Sequence, residues 1–328
     1  MSVTETIMPQ QAGQSESAVI KSTAESLAVT VLMGGPSSER QISLKSGKAV
    51  AQALEQMGHD VVRADIGPND LAALDRKGLD VVFPALHGQF GEDGTVQKIM
   101  EQRGIRYCGS GPEASRLAMD KMESKWRFLQ AGIPVADGGL VDRLGSNELH
   151  KRLLDRLGLP VVIKPVDQGS SLDVAVARDC KGRDEAIDSL IEKYGRCLLE
   201  RFIPGREITV GILGQTPLPI VEIVTPGGFF DFANKYESAT TEYRLDIDLP
   251  SEIYSRLQRI ALQGHLVLGC RDFSRVDIRL EPQGKPAVLE VNTIPGLTSR
   301  SLLPMAAQKA GISFEQLCDQ LIRMAYRR

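Results

Sequence analysis

The sequence predicts an α/β fold that opens with a small parallel-sheet domain and continues as an α+β assembly built on antiparallel strands. Three features predict it. A short apolar run, Leu27–Met33, ends in Gly34-Gly35-Pro36 and feeds the helix-like segment Ser43–Met57. Two more apolar runs, Asp60–Ala64 and Asp80–Ala85, follow with helical spacing between them, the rhythm of a parallel sheet. Later runs lie close together across glycine turns, which suits hairpins.

The first unit ends near Ser110, and a different rhythm follows. Pro112–Ala131 reads as one long helix stopped by Gly132-Ile133-Pro134. Leu159–Pro165 and Leu198–Pro204 read as strands flanking a Gly-Ser-Ser turn and a helix around Arg183–Tyr194. Ile208–Leu213 and Leu218–Val224 read as an antiparallel hairpin. Thr225–Asp248 is polar, has no clear period and is long for a connection, as active-site lids are. Ser274–Leu280 and Ala287–Asn292 pair around Gln283-Gly284, and Ser313–Tyr326 closes the chain as a helix. The expected layout is a disordered polar tail over 1–27, a parallel α/β domain over 28–117, and two further units over 118–206 and 207–328, the last carrying the lid.

Composition narrows the function. At 328 residues the chain suits two or three fused domains. A net charge of −3 without a basic run argues against a nucleic-acid partner. The longest apolar stretches fall far short of the roughly 20 residues that span a bilayer, so no membrane partner is expected. Five scattered cysteines, never in a C-x-x-C pair, argue against a disulfide framework and a zinc site. No secretory pattern opens the sequence, and the expected location is cytoplasmic.

Four clusters crowd polar residues against glycine. In Gly34-Gly35-Pro36-Ser37-Ser38-Glu39-Arg40 a glycine pair after a strand lets backbone approach a ligand, although Glu39 near a helix N-terminus is also explained by capping. His87-Gly88-Gln89-Phe90-Gly91-Glu92-Asp93-Gly94 lies where a parallel strand ends, a usual ligand position, with His87 aimed outward; a structural histidine in a glycine turn accounts for the same residues. Lys164 sits on a buried strand before Gly169-Ser170-Ser171, whose donors suit phosphate oxygens, although no Walker P-loop occurs; a salt-bridged lysine before an ordinary turn is the plainer account.

The fourth cluster is the most telling. Alternation puts Arg275 and Asp277 on one strand face, and Glu290 and Asn292 on one face of its partner. If those faces coincide, two carboxylates and an amide oxygen converge beside a guanidinium, a hard-oxygen set suited to Mg²⁺ with nucleotide phosphates. The polar loop Thr293–Ser301 follows. An interstrand salt bridge would require neither Asn292 nor that loop. Gly109-Ser110-Gly111-Pro112-Glu113-Ala114 also matches a loose dinucleotide fingerprint, but it comes late in the first unit and lacks the acidic residue that ribose binding needs.

Taken together, Gly34–Glu39, Leu86–Gly94, Met119–Lys121, Lys164–Ser171 and Glu290–Ser301 resemble the D-alanine–D-alanine ligases of the ATP-grasp superfamily, over nearly everything from Val29 onward. The resemblance implies that residues 118–206 and 207–328 are the two ATP-grasp subdomains, holding ATP between antiparallel sheets. It implies that Lys121, Lys164, Ser170 and Ser171 serve the phosphates, that Glu200 and the backbone of Arg201 to Ile203 receive adenine, and that Glu207 binds ribose. Asp277, Glu290 and Asn292 would hold two Mg²⁺ ions, with Mn²⁺ as a substitute. Glu39 and His87 would meet the first D-alanine, and Ser301 and the Leu302 N–H the second. Arg275 and the Gly296 N–H would stabilise the oxyanion. Tyr236 would close the lid onto Ser170 and Glu39, with Lys235 on the transferred phosphate. A homodimer formed through the N-terminal domain is implied as well.

Three positions depart from the commonest family pattern: Asp173 replaces a glycine near the phosphates, Arg201 a lysine, and Arg300 a histidine beside the second substrate. The expected activity is ATP-dependent formation of D-alanyl-D-alanine through an acyl phosphate, for peptidoglycan precursors. The alternatives are a same-fold ligase using D-lactate, D-serine or another amino acid, and a nucleotide-binding protein without ligase activity. Tyr236 after Lys235 favours the dipeptide.

Overall fold

The computed structural model describes residues 25–145, 147–170, 172–225 and 241–328. The readings that fall on Ser171, Lys235, Tyr236, residues 1–24 and most of the lid lie outside the described residues.

The first sheet is parallel, in the order β2-β1-β3. Its strands are β1 (Ala28–Gly34), β2 (Asp60–Ile66) and β3 (Val81–Pro84), with α1 (Arg40–Gln56) crossing from β1 to β2. β1 is central and buried on both faces, which explains its unbroken apolar sequence. Gly34 and Gly35 both have φ of +80°, and a Cβ on Gly34 would meet Asp65 Oδ1 at 2.0 Å, so the turn carries glycine beside the Arg40–Asp65 ion pair. α2 (Thr95–Gln102) completes the layer. Leu27, read as the end of the tail, is buried, and its N–H donates to His59 Nδ1 at 3.1 Å.

The single helix expected over Pro112–Ala131 is two: α3 (Pro112–Met119) and α4 (Lys121–Gln130). Asp120 between them is extended, and its carboxylate accepts from the Met122 and Glu123 N–H groups. This N-cap restarts the helix, and the Lys121 N–H turns to Val166 O instead. The Asp-x-x-Glu spacing at 120–123 is the overlooked signal.

A four-stranded antiparallel sheet follows, in the order β4-β7-β5-β6. It comprises β4 (Gly138–Asp142), β5 (Val161–Lys164), β6 (Ala175–Ala177) and β7 (Arg196–Arg201), covered by α5 (Asn147–Leu157) and α6 (Cys180–Tyr194). Facing it is a sheet in the order β11-β10-β8-β12-β13, with β9 paired to β8. Its strands are β8 (Arg206–Leu213), β9 (Thr216–Pro217), β10 (Val221–Val224), β11 (Glu242–Arg244), β12 (Phe273–Leu280) and β13 (Pro286–Asn292). Within the expected lid, the described residues Glu242–Arg244 thus form an edge strand on β10.

α7 (Ser251–Val267) was not read from the sequence, although Leu257, Ile260, Ala261, Gly264 and His265 recur at helical spacing on its buried face. α8 (Leu302–Lys309) and α9 (Phe314–Tyr326) end the fold, the latter opened by a Ser313–Gln316 capping box. α9 packs against α1 and β3, so Val29, Phe83, Phe273, Leu303 and Leu321 belong to one core spanning both ends of the chain.

His265 is buried in the last turn of α7, with Nδ1 2.7 Å from Ser274 Oγ on β12. Burial lowers its pKa to about 4 from the ordinary 6.5. The unfolded chain therefore takes up this proton near pH 6.5 and the folded chain only near 4, so stability is complete above 6.5 and falls as pH drops through that window. The expected loss from this group is about 3 kcal/mol. Denaturant unfolding from pH 7 to 4 should show that His265→Gln lacks this component.

Candidate active site

A cleft of about 900 Å³ lies between the two antiparallel sheets. Lys164 reaches it from the end of β5 and Glu200 from β7, and their charges meet at 2.6 Å. Glu200 Oε1 is also 2.5 Å from Lys125 Nζ, so both oxygens of this buried carboxylate are held by ammonium groups. Burial alone would raise the Glu200 carboxyl, but the two lysines outweigh it and hold the group below its usual range. Lys121 opens α4 under the Asp120 cap; its ammonium donates to Gln168 O at 2.5 Å and lies 3.3 Å from Glu290. Arg201 pairs with Glu281 at the rim, and Phe202 and Ile203 continue the wall.

On the opposite sheet Glu207 pairs with Arg279 at 3.2 Å. The Arg279 guanidinium also donates to Ile203 O and Gly205 O, locking the 203–205 turn to the strand that carries Asp277. Arg279 and Lys125 were both missed by the sequence reading. Their signal was a basic residue in an apolar period, Arg279 between Ile278 and Leu280 and Lys125 on the inward face of an amphipathic helix.

Register decides the fourth cluster. Arg275 faces Asn292 and Asp277 faces Glu290 across β12 and β13, with the pairing shifted just after Asp277. Arg275 Nε and Nη2 grip the two Asp277 oxygens at 2.9 and 2.7 Å; Asn292 Nδ2 donates to Oδ2 at 3.0 Å and Thr209 Oγ1 to Oδ1 at 2.6 Å. The two faces do coincide. Among the described residues no three His, Cys, Asp or Glu side chains cluster as a metal site. Asp277, Glu290 and Asn292 instead offer two carboxylates and an amide, a set of hard oxygens that fits Mg²⁺ bound partly through phosphate.

A second cavity, of about 830 Å³, adjoins this cluster and is lined by Glu39, His87, Ser170, Arg275, Gly296, Arg300, Ser301 and Leu302. Glu39 occupies the N-cap position of α1, but its side chain makes no capping bond there; it accepts from the Ser170 hydroxyl across the cavity. A Cβ on either Gly88 or Gly169 would stand 2.9 Å from Glu39 Oε2, which explains a glycine in each turn. His87 is not aimed outward as expected. It is buried, 3.0 Å from Ser46 Oγ, because its strand end is covered by α1. Ser46 also accepts the Leu297 N–H at 3.3 Å and so ties the His87 turn to the 293–301 loop. The Ser301 hydroxyl meets Thr298 N and Oγ1 at 3.1 and 2.9 Å, and Leu302, which begins α8, also lines the cavity.

Asp173 has φ of +54°, a conformation that favours glycine, yet its carboxylate turns away from the expected phosphate region to Lys193 and to Tyr194 Oη, the latter at 2.5 Å. Those two hydrogen bonds hold it below the usual carboxylate range. In the discounted 109–114 loop, the Gly109 N–H donates to Asp272 Oδ2.

Known proteins resemble this chain in sequence and fold. Residues 128–323 match the family described as D-ala D-ala ligase C-terminus, and residues 68–110 match D-ala D-ala ligase N-terminus. A D-alanine–D-alanine ligase of Bordetella avium is 42% identical over 298 residues, 90% of this chain and 93% of that one. The crystal structure of D-alanine–D-alanine ligase from Bacillus anthracis complexed with ATP superposes with a TM-score of 0.80 at 34% identity, covering 92% of this chain and 98% of that one. VanG D-Ala:D-Ser ligase from Enterococcus faecalis gives a TM-score of 0.81 at 29% identity, covering 92% and 100%.

Arg279→Ala removes the guanidinium from the Glu207 carboxylate and frees the 203–205 turn. The expected cost is about 3 kcal/mol by denaturant unfolding, with Arg279→Lys recovering only part of it.

Proposed function

The chain belongs to the D-alanine–D-alanine ligase family, and on that premise we propose that it joins two D-alanines at the expense of ATP, through an acyl phosphate, to supply peptidoglycan precursors. The observation that carries the reading is the antiparallel pairing that sets Arg275 and Asp277 against Asn292 and Glu290, where the intersheet cleft meets the cavity of Glu39 and Ser301.

ATP occupies the cleft. Lys121 and Lys164 leave their carboxylates for phosphate oxygens, with Ser170 and Ser171 donating from the turn. Glu200 and the backbone of Arg201 to Ile203 receive adenine, and Glu207, oriented by Arg279, takes the ribose hydroxyls. Asp277, Glu290 and Asn292 hold two Mg²⁺ ions, replaceable by Mn²⁺; when bound, such ions neutralise phosphate charge so that a carboxylate can approach.

Glu39 accepts the ammonium of the first D-alanine beside His87, which turns its carboxylate towards the γ-phosphate. Attack there gives the acyl phosphate and releases ADP. Ser301 and the Leu302 N–H hold the carboxylate of the second D-alanine, whose deprotonated amine attacks the acyl carbon. Arg275 and the Gly296 N–H carry the oxyanion, and phosphate leaves as the peptide bond forms. Family membership gives Tyr236 and Lys235, which lie outside the described residues, the tasks of excluding water and of meeting the transferred phosphate. The same family membership supports a cytoplasmic homodimer joined through the N-terminal domain. Among the described residues, no helix is long and apolar enough to cross a membrane.

Incubation with ATP, Mg²⁺, mixed D-amino acids and D-lactate, followed by mass spectrometry, should yield D-alanyl-D-alanine with one ADP and one phosphate per dipeptide. D-alanyl-D-serine or a D-lactate ester as the main product would overturn the second-substrate assignment, and ADP binding without ligation would overturn the activity. Asp277→Asn keeps the shape but loses the charge, and its turnover should fall at least about 100-fold while the fold survives. Wild-type turnover in that variant would remove the metal assignment.

A further inference from the structure

Lys125 is a buried charge that the reaction just described does not use. It is 5% exposed on the inward face of α4 and does not line the cleft. Its ammonium donates to Ala136 O at 2.6 Å and meets Glu200 Oε1 at 2.5 Å, while Lys164, which does line the cleft, holds Oε2 at 2.6 Å. One carboxylate therefore lies between two ammonium groups, each of the three side chains less than a tenth exposed.

The surrounding charges are otherwise matched. Asp137, before β4, pairs with Arg156. Arg201 pairs with Glu281 at the rim. Lys121, on the same helix as Lys125, pairs with Glu290, and across the cleft Glu207 pairs with Arg279. Burial disfavours the charged form of Lys125, and Glu200 offsets this by its own charge.

We propose that Lys125 is the standing counter-ion of Glu200, a positioning residue that allows Lys164 to exchange the carboxylate for a nucleotide phosphate. The inference rests on the ATP-dependent reading of this cleft. A phosphate can recruit Lys164 only if Glu200 is not left as an isolated buried anion, which is a severe penalty. With Lys125 behind it, Glu200 keeps one hydrogen-bonded cation throughout and stays ionised. Its released oxygen then accepts the adenine amino group, and a 6-oxo purine, presenting an acceptor at that position, is repelled. The three groups carry one net positive charge before nucleotide binds, which favours an incoming polyanion.

The test compares full-length wild type with Lys125→Met, Lys125→Arg and the double variant Lys125→Met/Glu200→Gln. ADP affinity is read by calorimetry, and KM for ATP and kcat by phosphate release, between about pH 6 and pH 9. In Lys125→Met, ADP binding and KM should worsen about tenfold or more at the alkaline end, with kcat changed by no more than about threefold. The defect should shrink as pH falls, because a proton can then replace the missing cation on Glu200. Lys125→Arg should restore affinity, and the double variant should recover most of it, since its neutral amide needs no counter-ion yet still accepts from adenine.

Wild-type affinity and pH profile in Lys125→Met would overturn the proposal, as would a double variant no better than the single one. If Lys125→Met does not fold, the double variant decides: ADP affinity within about threefold of wild type supports the exchange, and a folded protein binding ten times more weakly refutes it. The parent reading is judged on the wild type alone, which must bind ADP and ligate.

Discussion

The site depends on one carboxylate held between two strands. Asp277 projects from the middle of β12, gripped by Arg275 two residues earlier on the same strand, by Thr209 from β8 on one side and by Asn292 from β13 on the other. Three adjacent strands must therefore be in register before the side chain can sit where it does. The shift in β12–β13 pairing just after Asp277 sets the stretch carrying Asn292 and Glu290 apart from the regular ladder beyond it. A slip by one residue would turn every one of these groups into the α7 side of the sheet. The core formed by α7 against Val276, Ile278 and Val291 prevents that slip, since those residues alternate with the polar ones and need an apolar face.

A second regularity follows from burial. Among the described residues, the cations around the cleft rest on carboxylates: Lys164 on Glu200, Lys121 on Glu290, Arg201 on Glu281, Arg279 on Glu207 and, beside it, Arg275 on Asp277. Isolated charges could not be kept in so enclosed a space, whereas paired ones can. Binding of an anionic ligand with its cations is then an exchange of partners among groups already desolvated and oriented, rather than a burial of new charge. Such an exchange succeeds only if no member is left alone at the end. That requirement bears hardest on Glu200, which lies too deep in the cleft wall for water to reach it freely.

Much of this was legible in the sequence because the strands carry strong signals. β1, β3, β8, β12 and β13 are apolar runs whose polar exceptions, Arg275, Asp277, Glu290 and Asn292, stand out against their neighbours. The break at Asp120 was hidden because helical propensity runs through it, and only the local cap and the Lys121–Val166 contact, made far along the chain, mark it. Lys125 escaped for a different reason. A lysine on a helix is ordinarily a solvated residue, and nothing nearby in sequence reveals that Glu200, 75 positions away, lies within 2.5 Å. His87 was placed correctly at its strand end but given the wrong exposure, because the covering helix comes from an earlier part of the chain.

The shared core of the first and last segments explains where the second cavity lies. α9 packs on α1 and β3, so the parallel sheet cannot pivot freely from the strands that follow Arg271. Phe83 and Phe273 meet in that core with ring centres 6.3 Å apart, two residues before Arg275 and four before His87. The same contact therefore fixes the ends of two strands from opposite parts of the chain, and the turns beyond them face each other. Ser46 completes the link by touching both His87 and the Leu297 N–H. Gly88 in the His87 turn, and Gly169 in the separate segment after β5, have no room for a side chain beside Glu39. The cavity is thus set by the packing around it, and the Glu39 carboxylate, which makes no bond to its own helix cap, accepts from Ser170 instead.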